Sequence, residues 1–144
     1  KFLFDLGIPV KGKPGRAELV LSNMRWTRVR KEAIPDYESF RSARLAFDFG
    51  NPVYTPALQV AGRSVSRAEF TVINKTGFGY FELPLQIVLW RGGSIAGINR
   101  AVVANLGAGE SRLVDVTWFE TMAGITKVEV RPDLNIMDDS VYIK

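Results

Sequence analysis

The chain has no cysteine and no histidine in its 144 residues. Without thiols there is no disulfide framework and no thiolate nucleophile. Without imidazole there is no Ser-His-Asp or Cys-His catalysis, no histidine metal ligand and no side chain that ordinarily titrates near neutrality. No run approaches the ~18 apolar residues needed to cross a bilayer. The Gly-Gly turn in "WRGGS" (residues 90–94) lacks the Gly-x4-Gly-Lys-Ser/Thr spacing that cradles phosphates. Carboxylates fall singly on polar faces or in loops, so paired-carboxylate catalysis has no visible site. The chain reads as non-enzymatic and without a cofactor.

Apolar residues make up 47% and charged residues 24%, the balance of an ordinary globular domain. A chain of this length can bury a core without staples. The charge is uneven: residues 1–67 carry 12 Lys/Arg against 6 Asp/Glu (+6), and residues 68–144 carry 7 against 9 (−2). Such asymmetry suits an anionic partner or head-to-tail packing between copies. An absence of cysteine is compatible with the bacterial cytosol, the periplasm or a cell surface. Because the sequence opens on Lys1, a leader or anchor is expected outside it.

The dominant pattern is alternation. Phe2, Phe4 and Leu6 alternate with Leu3 and Asp5 ahead of the linker "KGKPG", and this predicts an extended arm over residues 1–14. "AELVLSNMRWTRVRK" reads as a strand whose phase shifts near "SN". Ala43, Leu45, Phe47 and Phe49 share one face of a further strand, so "DYESFRSARLAF" is assigned by alternation and no long helix is expected. Phe70 and Val72 align next, then Phe81, Leu83, Leu85, Ile87 and Leu89. That alignment assigns Phe81 to the core, and Pro84 on the opposite parity predicts a strand at or near an edge. Ile98, Val102, Ala104 and Leu106 share one parity, as do Val114, Val116 and Trp118, and then Val128 and Val130. Many short strands between Gly, Pro and Asn turns predict an all-β, antiparallel sandwich. Residues 15–60 supply too few strands to stand alone and are expected to pack on the rest as one domain spanning 15–144.

Several clusters invite a functional reading. Phe78, Tyr80 and Trp90 sit near "GFGYF" and "LWRGG" and would offer a sugar-stacking platform, or else plug the sandwich end and pack against the first 60 residues. Arg25, Arg28, Arg30 and Lys31 surround Trp26 and form a basic patch of the kind that grips a nucleic-acid backbone, or else a polar strand end beside a core tryptophan. Asp133, Asn135, Asp138 and Asp139 place several oxygens close together, as part of a calcium site would, or line a solvated loop. Asn74-Lys75-Thr76 is a glycosylation sequon.

Residues 66–143 carry a recognisable order: "EFTVINKTG", "LPLQIVLWRGGSIAG", "LGAGESRLVDVTW" and "KVEVRPDLNIMDD". This half of the chain resembles the prokaryotic cell-adhesion-related CARDB domains and, more broadly, fibronectin III-like immunoglobulin folds. "GAGESRLVDVTW" is the most specific segment, while the acidic end is reduced to "DLNIMDDS". The resemblance implies an immunoglobulin-like sandwich in a non-catalytic structural or interaction module. The setting it implies is extracytoplasmic, at the surface or in the periplasm, with a membrane anchor outside this chain. The expected partners are other protein domains or further copies of the chain, assembling through Phe2, Phe4 and Leu6. Carbohydrate binding is the alternative, and nucleic-acid binding through the basic front half the third.

Overall fold

The computed structural model describes residues 31–143 and the isolated positions Arg16, Glu18, Val20 and Ser22. Two antiparallel sheets make the chain an all-β sandwich. Its strands are β1 (Phe47–Val60), β2 (Arg63–Asn74), β3 (Gly79–Arg91), β4 (Ser94–Leu106), β5 (Ser111–Trp118), β6 (Lys127–Pro132) and the two-residue β7 (Tyr142–Ile143). One sheet has the order β1-β2-β5 and the other β4-β3-β6, with β7 beside the start of β3. The hairpin β1–β2 lies in the first sheet and the hairpin β3–β4 in the second; the chain then returns for β5 and crosses again for β6.

The core follows from period two. Ala68, Phe70 and Val72 point inward from β2 beside Val114 and Val116 of β5, and across the layer stand Leu83, Leu85, Ile87 and Leu89 of β3. These four β3 side chains are wholly buried, worth about 1.5–3 kcal/mol each against exposure. Trp118 and Met122 close the core at one end, and both lie so near Gly97 that a Cβ there would have to push them aside by a few tenths of an ångström.

Three expectations are corrected. "YESFRSARL" is a helix, α1 (Tyr37–Leu45), not the front of a strand, and only Phe47 and Phe49 of the alternating set belong to β1. Asp36 caps it by accepting from the Ser39 N–H, and Tyr37, Phe40 and the stem of Arg44 form its half-buried stripe. β3 is a central strand despite Pro84. On its outer side β6 pairs only from Leu85 to Trp90 and β7 only with Gly79 and Tyr80, so the missing N–H of Pro84 falls between them, and its carbonyl accepts from Asp133. Phe81 is 50% exposed while Tyr80 is buried. The reversal coincides with Asn105 on β4, whose φ of 50° turns that strand, so that Tyr80 and Leu106 point in as an opposed pair.

The same register sets β4. Val103 and Ala101 oppose the inward Leu83 and Leu85, which leaves Ile98 and Val102 facing out. β1 runs through Pro52 and Pro56, and its two register shifts fall at those prolines, where an edge strand tolerates a missing donor. The arm residues Phe2, Phe4 and Leu6, and Arg25, Trp26, Arg28 and Arg30 of the basic patch, lie outside the described residues; for Lys31 only the backbone is described.

Candidate functional site

The three aromatics proposed as a platform do not meet. Tyr80 and Trp90 stand at opposite ends of β3, roughly 33 Å apart at ~3.3 Å per residue. Tyr80 is wholly buried, and its hydroxyl donates to the Arg44 carbonyl at 2.7 Å. Burial pushes its phenol above the ordinary range. Phe78 packs on Tyr142, and Tyr80 on Phe47 and Tyr142, at centroid separations of 5.2 to 5.5 Å. The Arg44 guanidinium enters this cluster, 3.8 Å from the Phe40 ring centre and 4.6 Å from that of Phe78. Phe78 and Tyr80 therefore close the sandwich end against α1. Trp90 lies on the outer face and donates to Glu129 at 2.8 Å. Arg131 first, and the Trp90 N–H after it, hold the Glu129 carboxyl below its usual range against the opposing pull of burial.

The sequon and the acidic cluster also have structural uses. Asn74 is wholly buried. Its Nδ2 donates to the carbonyls of Phe78 and Gly107, both at 2.8 Å, while its Oδ1 accepts from the Thr76 N–H and hydroxyl. This ties the β2–β3 turn to the β4–β5 turn and leaves no amide for a glycan. Glu110 closes the second turn by accepting from the Gly107 N–H at 2.8 Å, and that bond, with Arg112, lowers its pKa. Asp133 accepts from Gln86, Asn135 from the Met137 N–H, and Asp138 from Ser140. Among the described residues no three carboxylates gather where a cation could sit. At the far end of β2 the buried Ser66 accepts from the Met122 N–H, and its own proton reaches Glu120 or Pro56.

What remains open is backbone. A sheet edge offers unpaired N–H and C=O groups, and proteins usually blunt it with proline, bulges, charge or brevity. β1 has its prolines and register shifts. β5 has eight residues, carries Arg112 and Asp115, and its Thr117 carbonyl is taken by Asn99. β6 has six residues, bears Lys127, Glu129 and Arg131, and ends in Pro132. β4 has 13 residues, no proline and a single charge, Arg100, which has no carboxylate partner among the described residues; its Ile98 carbonyl accepts from the Trp118 indole and its Arg100 N–H donates to the Asn99 side chain, which leaves the stretch from Ala101 to Ala104 as its open part. Its outer face shows Ile98 at 36% and Val102 at 48% exposure, opposite Val88 and Pro84 of β3. Beside its first turn an open depression of about 340 Å³ is lined by Gly97, Ile98, Trp118, Met122 and the exposed Phe119. Sequence reasoning passed over β4 because an edge is a property of sheet order; its scarcity of charge was the legible signal.

Comparison with known proteins finds no matching family model, no matching curated protein and no matching solved structure. Fold and surface together define the class: an all-β sandwich in which, among the described residues, β4 is the edge least guarded by proline and charge.

Proposed function

We propose that this chain is a non-catalytic interaction module that assembles with further copies of itself by strand addition at β4. The observation that carries the reading is the 13-residue, proline-free β4 edge with one charge and three exposed apolar residues, Ile95, Ile98 and Val102. Its setting is an exported, membrane-anchored prokaryotic protein, a reading supported by the resemblance of residues 66–143 to adhesion-related domains. Tyr80 is buried and Trp90 lies at the far end of β3, so the sugar platform has no surface in this reading.

Lysine is the common natural guard of an edge, and the double variant Ile98→Lys, Val102→Lys places two on the outer face of β4. The expected result in sedimentation across protein concentration is at least tenfold weaker self-association, with an unchanged circular dichroism spectrum. Equal association of variant and parent would end the proposal.

A further inference from the structure

The strand that fits β4 is written in the same sequence, an inference that rests on the reading above. We infer that residues 2–6 of a second copy add to β4 as an antiparallel strand, with Asp5 opposite Arg100. The argument begins with the acceptor. On the outer face of β4, in chain order, stand Ile98, Arg100, Val102 and Ala104, and on the inner side Asn99, Ala101 and Val103. A complementary strand needs one acid on its outer side, flanked by neutral residues, and bulky apolar groups on the other side to extend the core layer beyond Ala101 and Val103.

"KFLFDLG" supplies that pattern. Setting Asp5 against Arg100 in antiparallel register puts Leu3 beside Val102 and Gly7 beside Ile98 on the outer face. Lys1 then falls beside Ala104, whose partner across on β3 is Glu82. The other parity brings Phe2 to Val103 and Phe4 to Ala101, where the inner layer is apolar, and Leu6 to Asn99, where the side chain bonds the Thr117 carbonyl and the Arg100 N–H and the arm has to end. A parallel arrangement would instead set Phe2 against Gly97, where Trp118 and Met122 already crowd the backbone. Antiparallel addition is therefore the direction the side chains accept. The acid also answers a need of β4, since Arg100 is its one charge and has no carboxylate among the described residues.

The occupant is a second copy. Residues 7–30 separate the arm from the first continuously described residue, and a chain of that length can span on the order of 80 Å. The excess of positive charge in residues 1–67 (+6) against 68–144 (−2) suits head-to-tail contact between copies. If each copy gives its arm to the other, the assembly closes as a two-fold dimer; if each gives its arm onward, it grows as a chain or ring.

The full chain tests this by charge exchange. Asp5→Arg and Arg100→Glu should each weaken self-association tenfold or more in sedimentation, and the double exchange should restore it. Since the chain has no native cysteine, an oxidised mixture of Asp5→Cys and Arg100→Cys copies should give a disulfide-linked pair, because directly opposed antiparallel residues lie within bridging distance. Undiminished association of Asp5→Arg would overturn the arm as occupant. Were association also sensitive to lysines at Ile98 and Val102, β4 would then be pairing with something else, such as β4 of a second copy, and the broader reading would survive. A cross-link formed inside one chain carrying both cysteines, at monomer mass, would overturn exchange between copies.

Discussion

At the scale of single residues, buried polar groups set the geometry at both ends of the sandwich. Asn74 meets two carbonyls, one N–H and one hydroxyl, and so spends most of its amide within the fold. Asn74→Ala removes both donors, leaves the Gly107 carbonyl without that bond in a closed setting, and unties the two turns. The expected cost is about 2–4 kcal/mol in urea unfolding, since each lost bond is worth about 1 kcal/mol and a stranded buried acceptor adds its own penalty. A cost under about 0.5 kcal/mol would show that the turns hold without it. The sequence did display this residue, in an Asn-x-Thr-Gly string typical of a side chain bonding its backbone two residues on. The same string is a glycosylation signal, and burial decides between the two.

At the scale of elements, strand alternation was legible wherever a strand has one face in the core. Phe70 and Val72, Leu83 to Leu89, and Val114 and Val116 all point as their parity predicts. The failures have separate physical causes. Asn105 reverses the phase of β4 and with it the fate of Phe81, a backbone event that no apolar count foretells. α1 was missed because part of its half-buried stripe is an arginine, a residue that a binary pattern scores as polar, whose guanidinium packs on Phe40. A nine-residue helix is marginal alone, so α1 owes its place to packing. Arg44 stacks on Phe40 and Phe78, and its carbonyl receives the Tyr80 hydroxyl. Arg44→Ala should therefore lower the hydrogen-exchange protection of residues 37–45 by about 1 kcal/mol and leave β2 and β3 protected. Arg44→Lys should recover only part of the loss, because an ammonium cannot stack as a planar guanidinium does. Unaltered α1 protection in the alanine variant would remove the stacking account.

At the scale of the whole molecule, strand order was the illegible part, and its cause is non-locality. Phe70 pairs with Val114, and β3 with both β4 and β6, contacts that no local window of sequence contains. The chain moves between sheets after each hairpin, so neither sheet can leave without breaking the other, and unfolding should be cooperative. Among the described residues, acid acts on this unit at three separated carboxylates. Glu110 is held low by the Gly107 N–H and Arg112, Glu129 by Arg131 and Trp90, and Asp138 by Ser140. Each has a folded pKa below its unfolded one, so the stability it contributes is present above the unfolded value of about 4 and lost as pH falls through the lower, folded value. The melting temperature should then be nearly level from neutral pH to about 5 and fall below about 4, with near- and far-ultraviolet circular dichroism changing together. Glu110→Gln keeps an oxygen for the Gly107 N–H but cannot titrate, so its acid decline should be shallower than the parent's. A parallel decline would mean that the turn at Gly107 to Glu110 opens without loosening the sandwich, and the acid-sensitive charges would then be those of β6 and the turn before β7.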